Sequence, residues 1–198
     1  AVAAIPEGLP AIVTITLALS VNRILRRGAV IRKLHAVETL GCAGVICTDK
    51  TGTITQNKMT VQRIWVPGRT LNVSGSGYRA QGAVEENGRP VQAARDAALG
   101  RLCEAASLCT TAHITRAKDG YDVMGDPTEV AVLVAAAKAG VTKEALLQQY
   151  TVTGENPFDA ARKRMSVTVS GPGGVRLLCK GAPDMLLARC THIATPAG

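Results

Sequence analysis

The stretch Val45-Ile46-Cys47-Thr48-Asp49-Lys50-Thr51-Gly52-Thr53-Ile54-Thr55 decides the fold class of this chain. Its first three residues form a short apolar run of the kind that makes a buried strand in a parallel sheet. The run ends directly in Asp49, and ligands of parallel α/β sheets bind outside the carboxyl ends of the strands. Asp49 is therefore predicted at a strand tip with its carboxylate facing outward. Gly52 supplies a turn in which backbone amides can approach an oxyanion. Lys50 adds positive charge for a transferring phosphoryl group. A carboxylate so placed can attack phosphorus and form an aspartyl-phosphate. Magnesium would bridge Asp49 and the phosphate, because two anions otherwise repel. Asp-Lys-Thr alone also describes an ordinary turn; the full run is the specific signal.

Upstream lies the most apolar part of the chain, residues 1–25, with a basic cluster of Arg23, Arg26, Arg27, Arg32 and Lys33 on its C-terminal side. Positive charge after an apolar segment is the reverse of a secretory signal. It fits a membrane segment whose C-terminal end is cytoplasmic; a buried core helix is the alternative from periodicity alone. Inside this segment stands Pro6-Glu7-Gly8-Leu9-Pro10. Two prolines break a helix and free carbonyl oxygens. Such backbone survives in a bilayer only when packed in protein or lining a cavity. Freed carbonyls with the Glu7 carboxylate make a hard-oxygen cation site.

The 198 residues are 46% hydrophobic and 19% charged, which excludes a disordered chain. Aromatics are 3%, too few for a nucleic-acid stacking platform. Half of the +8 net charge falls in residues 1–36, so it marks a membrane boundary and not a nucleic-acid surface. The six cysteines make no Cys-x-x-Cys and are expected as reduced thiols.

Beyond the opening stretch, residues 35–40 read as a short helix stopped by Gly41. Residues 59–66 and 70–74 read as strands, and 74–90 as turns and a hairpin. Helices are predicted over 91–111, 126–139, 142–149 and 182–189. Strands at 164–170 and 175–180 pair across Gly171-Pro172-Gly173-Gly174. Glu129, three residues after Asp126, reads first as part of a capping box with Pro127 at the first helical position. Phe158 reads as plain core or, between Pro157 and Asp159, as a cleft rim. Lys180 and the Arg162-Lys163-Arg164 run read as solvated cations unless a phosphate is near.

Four motifs in order give the sequence a resemblance to the P-type ATPases, and within them to the calcium-pump-like branch. They are Pro6-Glu7-Gly8-Leu9-Pro10; Val37-Glu38-Thr39-Leu40-Gly41 with Asp49-Lys50-Thr51-Gly52-Thr53; Gly125-Asp126-Pro127-Thr128-Glu129; and Lys180-Gly181-Ala182-Pro183. The resemblance implies a fold of mixed class, α/β plus α+β. It comprises the start of a haloacid-dehalogenase-like phosphorylation domain and an antiparallel-sheet nucleotide-binding domain, preceded by part of a broken transmembrane helix. The implied divisions are residues 1–27 for the end of transmembrane helix 4 and the stalk, 28–60 for the phosphorylation domain, and 61–198 for the nucleotide-binding domain.

The same resemblance implies roles. Asp49 would be the phosphorylated nucleophile, Lys50 would place the phosphate, Thr51 would offer its carbonyl to Mg2+, and Thr53 would line the phosphate site. Phe158 would stack on adenine, Lys180 would close the back of the pocket, and Glu129 would meet the adenine edge. Arg162, Lys163 and Met165 would flank the nucleotide, and Glu7 would ligate the transported cation, most plausibly Ca2+. The implied partners are ATP, a lipid bilayer, the cation and the remaining segments of the same pump. The implied setting is a multi-pass membrane protein with cytoplasmic catalytic domains. Ala160 stands where some calcium pumps carry an Arg. A Gly-Asp-Gly-x-Asn-Asp run, the second magnesium carboxylate of the family, does not occur, so the chain is expected to be an internal fragment that does not pump alone. The alternatives are a sodium/potassium- or proton-type pump, a soluble aspartyl-phosphate phosphatase and a non-catalytic nucleotide-binding module. Thr51, where such phosphatases carry a second Asp, weighs against the phosphatase.

Overall fold

A computed structural model of the chain describes residues 8–79, 81–118 and 120–193. These fall into two units, divided after Ile54. In the first, helix α1 spans Leu9–Leu25 with Pro10 in its first turn, where the missing N–H costs nothing. The hydroxyls of Thr14, Thr16 and Ser20 donate to the carbonyls of Pro10, Ile12 and Thr16 at 2.8–2.9 Å, so the polar side chains of this apolar helix are satisfied internally. Among the described residues no helix is long and apolar enough to cross a membrane. Pro6 and Glu7, the expected helix break and cation ligand, lie outside the described residues. Helix α2 spans His35–Gly41, as its sequence predicts.

Residues 45–49 depart from expectation. The buried strand predicted there is absent: Val45 and Ile46 are 81% and 82% exposed. A parallel strand is made by its neighbours, and among the described residues none pairs with this run. Asp49 therefore does not stand at a strand tip. It opens a turn in which Thr51 (φ −82°, ψ 124°) and Gly52 (φ 78°, ψ −6°) have the dihedrals of a type II β-turn. That geometry requires the positive φ that glycine supplies.

The second unit is built from three antiparallel sheets and two central helices. Strands β1 (Arg63–Val66), β2 (Arg69–Val73), β3 (Val84–Glu86) and β4 (Arg89–Pro90) form one sheet in sequence order. The β3–β4 turn is Asn87-Gly88, both at positive φ, the pairing that a tight hairpin selects. Helix α3 spans Ala97–Leu108, and helix α4 spans Pro127–Lys138. Val66, Leu71, Val73 and Val84 of the sheet pack on Leu99 and Cys103 of α3 and on Ala135 and Ala136 of α4. Strands β5 (His113–Ala117) and β6 (Gly120–Met124) form a hairpin, and Ala112 and Ile114 pack on Val130, Leu133 and Val134 of α4. After the short helix α5 (Lys143–Leu147) come β7 (Thr151–Asp159), β8 (Arg164–Gly171) and β9 (Gly174–Gly181), then helix α6 (Pro183–Leu187). Met165, Val167 and Val169 of β8 meet Leu108, Cys109 and Tyr150 beneath this third sheet.

The β8–β9 hairpin matches the sequence reading, and the helices match in place, but the helix predicted over 91–111 begins only at Ala97, where Asp96 caps it. The β5–β6 hairpin and β7 were not foreseen. Strand β7 contains Gly154 and Pro157, and its pairing with β8 shifts register between Val152 and Gly154 and between Asn156 and Asp159. A proline cannot donate to the ladder, which explains both the irregular pairing and the edge position of β7. The tripeptide Thr153-Gly154-Glu155 lies within this strand.

Asp96 joins the first sheet to α3. One carboxylate oxygen caps the helix by accepting from the Leu99 amide at 3.0 Å, and the other pairs with Arg69, which also holds Glu86 at 2.9 Å. Replacing Asp96 with Ala removes cap and ion pair together and is expected to cost about 2 kcal/mol in urea denaturation. Asp96→Asn, which keeps the cap, is expected to cost about half of that.

Candidate functional site

A cleft of about 770 Å3 in the second unit opens between the start of α4, the β7–β8 turn and the end of β9. Gly125 (φ 124°) delivers the chain into α4; a Cβ there would lie 2.8 Å from the Ala112 backbone, so no side chain fits. Asp126 caps the helix through its Oδ1, which accepts from the amides of Thr128 (2.8 Å) and Glu129 (3.4 Å).

Glu129 does not complete the expected capping box. Its carboxylate turns away from the Asp126 amide toward the α3–β5 loop. Oε2 accepts from the Thr110 hydroxyl (2.9 Å), the Thr111 amide (3.1 Å), the Thr111 hydroxyl (2.8 Å) and the Ala112 amide (3.0 Å). Oε1 accepts from Lys180 Nζ at 2.5 Å. Four donors from one loop outcompete a single amide of its own helix. Burial acts to raise the Glu129 pKa. The hydrogen bonds from Lys180, Thr111 and Thr110, with the Lys180 charge, overcome it and bring the carboxyl down to about 2. The pair is mostly sheltered, with side-chain exposures of 16% for Glu129 and 30% for Lys180. It joins the first turn of α4 to the end of β9.

Opposite stands Phe158, 63% exposed near the end of the edge strand β7. An aromatic ring left open on a cleft wall is a platform for a flat ligand. Lys163 lies on the same cleft in the left-handed region (φ 50°), inside the β7–β8 turn. Its carbonyl accepts from the Ala182 amide at 3.0 Å. Gly181 makes this approach possible, since a Cβ there would meet the Lys163 carbonyl oxygen at 2.4 Å.

The predicted residues therefore divide. Glu129, Phe158, Lys163 and Lys180 converge on one cleft. Arg162 is not among the residues lining it; its guanidinium donates to the Pro157 carbonyl at 2.9 Å and bends back beside Asp159. Met165 is 1% exposed, packed in the core beneath β8, and is not among the residues lining the cleft. The sequence reading missed Thr111, Asp126, Thr128 and Val132, which also line the cleft. Asp126 and Thr128 carried a signal, since both stand in the Gly125-Asp126-Pro127-Thr128-Glu129 motif, though neither was assigned to a site.

Asp49, Lys50, Thr51 and Thr53 belong to the first unit and are all exposed. The Asp49 carboxylate accepts from the Lys50 amide at 2.7 Å. Among the described residues no cluster of three or more His, Cys, Asp or Glu could hold a metal by itself. The donor set of the turn fits Mg2+ all the same: it takes one or two carboxylates, substrate phosphate oxygens and water. Asp49 and the Thr51 carbonyl are hard oxygen donors of that kind.

Residues 98–197 match the family described as P-type ATPase, cytoplasmic domain N. The chain is 47% identical over 194 residues to a calcium-transporting ATPase of Bacillus subtilis, covering 98% of the chain and 22% of that protein. It is 42% identical over 203 residues to the cation-transporting ATPase pma1 of Synechocystis, covering all of the chain and 22% of that protein. It is 45% identical over 168 residues to human calcium-transporting ATPase type 2C member 1, covering 84% of the chain and 18% of that protein. The chain thus spans about a fifth of the length of the curated relatives it matches.

The Glu129 geometry sets an acid dependence. Its folded pKa, about 2, lies below the ordinary 4.5, so it adds stability above pH 4.5 that is lost as pH falls toward 2. Urea denaturation across that window is expected to show a loss of about 2–3 kcal/mol from this group. In Glu129→Gln the slope is expected to flatten; an unchanged slope would show that the carboxylate is not held as described.

Proposed function

The chain belongs to the P-type ATPase family, and from that premise we propose that the whole protein drives a cation, Ca2+, across a membrane with ATP. The observation that carries the reading is the cleft in which the open Phe158 ring faces the Glu129–Lys180 pair. The relatives named for calcium transport support the choice of ion. The family description, a cytoplasmic domain N, supports a cytoplasmic placement of the nucleotide-binding part.

In this reading the adenine base stacks on Phe158. Its edge meets the Glu129 carboxylate, whose Oε1 carries one partner in the structure. Lys180 closes the back of the pocket and keeps Glu129 ionised. Lys163, exposed at the mouth, draws in the phosphate chain, with Arg162 adding charge nearby. One Asp49 carboxylate oxygen attacks the γ-phosphorus in line. A new O–P bond forms, the bond to the β–γ bridging oxygen breaks, and ADP leaves with its electron pair. Mg2+, held by Asp49 and the Thr51 carbonyl, would screen the repulsion between carboxylate and phosphate when bound. Lys50 and Thr53 would position the phosphoryl oxygens, and the Gly52 turn exposes backbone to them. Glu7 would ligate the transported ion, with the lipid bilayer and the remaining segments of the pump as its setting. The 198-residue chain by itself is expected to bind nucleotide without turning over.

Two measurements test this. Phe158→Ala is expected to weaken ATP binding to the 198-residue chain, read by calorimetry, by about 1–3 kcal/mol, the worth of one base–aromatic stack. In the full-length protein, wild type is expected to form an acid-stable, hydroxylamine-sensitive phosphoenzyme that Asp49→Asn abolishes. A label persisting in that variant would remove Asp49 from the nucleophile role.

A further inference from the structure

Lys143 is the first residue of α5 and lies behind the cleft wall, among none of the cleft-lining residues. Its ammonium donates to two backbone carbonyls, Thr110 at 2.9 Å and Ala112 at 3.0 Å. These carbonyls bracket the loop whose Thr110 hydroxyl, Thr111 amide and hydroxyl, and Ala112 amide all converge on Glu129 Oε2. The loop is thus gripped from both sides: its carbonyls by a cation, its donors by a carboxylate. Burial pushes the Lys143 pKa down, while Glu129, Glu144 and Glu155 favour its charged form and Lys180 opposes it. A lysine at the start of a helix gains nothing from the backbone dipole there. The side chain is explained by what it holds.

We propose that Lys143 is a positioning residue for the nucleotide cleft: it fixes the 110–112 loop so that the loop donors aim at Glu129 Oε2 and leave Oε1 to Lys180 and the ligand. The proposal rests on the reading that this cleft binds ATP. Thr111 itself lines the cleft, so loosening the loop disturbs the wall as well as the carboxylate. Lys143 touches no ligand in this scheme and acts through Thr110, Ala112 and Glu129 in turn.

The test uses the 198-residue chain with ATP as the probe, comparing wild type, Lys143→Met, Lys143→Gln and Lys143→Arg. ATP affinity is read by calorimetry, and the amide proton shifts of Thr111 and Ala112 by NMR. Lys143→Met is expected to bind ATP about ten-fold more weakly, the size of one lost charge-assisted hydrogen bond, and to move both amide signals. Lys143→Gln keeps a donor of shorter reach and is expected to fall between, which keeps the test readable if the Met variant does not fold. Lys143→Arg, with charge and donors retained, is expected to restore both readouts. Wild-type affinity in Lys143→Met or Lys143→Gln, or weaker binding with the Thr111 and Ala112 signals unmoved, overturns the proposal. Failure of the underlying reading is seen separately, as no ATP binding by wild type, and removes the proposal with it.

Discussion

The Glu129 carboxylate is the constraint on which the cleft depends. Placed in water, it would need no partner. In the first turn of α4 it is sheltered enough that an unpaired charge would be costly, and five donors remove that cost. The donors fix two different parts of the chain. Thr110 to Ala112 set where α3 hands over to β5, and Lys180 sets where β9 ends. The position of Phe158 follows through the sheet, because β7 is tied to β8 and β8 to β9. A carboxylate with this many hydrogen bonds stays ionised at any pH a cell presents. Glu129 therefore keeps a fixed negative charge at the edge of the cleft, with the Lys180 charge paired to it.

The sequence was most legible where a local signal and the tertiary outcome agree. Asp126-Pro127 marks the start of α4 because the cap and the proline act within one turn. Gly171-Pro172-Gly173-Gly174 marks the β8–β9 hairpin because its glycines take the positive φ that the turn needs. It was least legible where tertiary partners decide. The run Val45-Ile46-Cys47 has strand composition, yet with no strand pairing to it among the described residues it forms none and is exposed. Strand β7 has poor strand composition, with a glycine and a proline, yet β8 draws it into the sheet.

The site divides along the same line. Phe158, Lys163 and Lys180 were identified because a family resemblance supplied positions that composition alone would have left as core or solvated cations. Met165 was misplaced by that route. It sits next to Arg164 in sequence, but strand alternation sends its side chain to the opposite face, into the core with Val167 and Val169. Glu129 is the instructive case. The capping-box spacing is real, and the helix does begin at Asp126, but no one-dimensional pattern encodes a loop 17 to 19 residues earlier that offers better donors.

The separations within this hydrogen-bond cluster also bear on how the chain assembles. Glu129 reaches the Thr110–Ala112 loop across 17 to 19 residues, whereas it reaches Lys180 across 51. Loop-closure entropy grows with the logarithm of separation. It thus favours joining α4 to the α3–β5 loop before the third sheet delivers its lysine. On a ribosome the same order is enforced, since Glu129 emerges first. Until β9 arrives, the nascent domain holds a carboxylate with its Oε2 partners made and its cation missing, so the cleft is among the last parts of the fold to be electrically balanced.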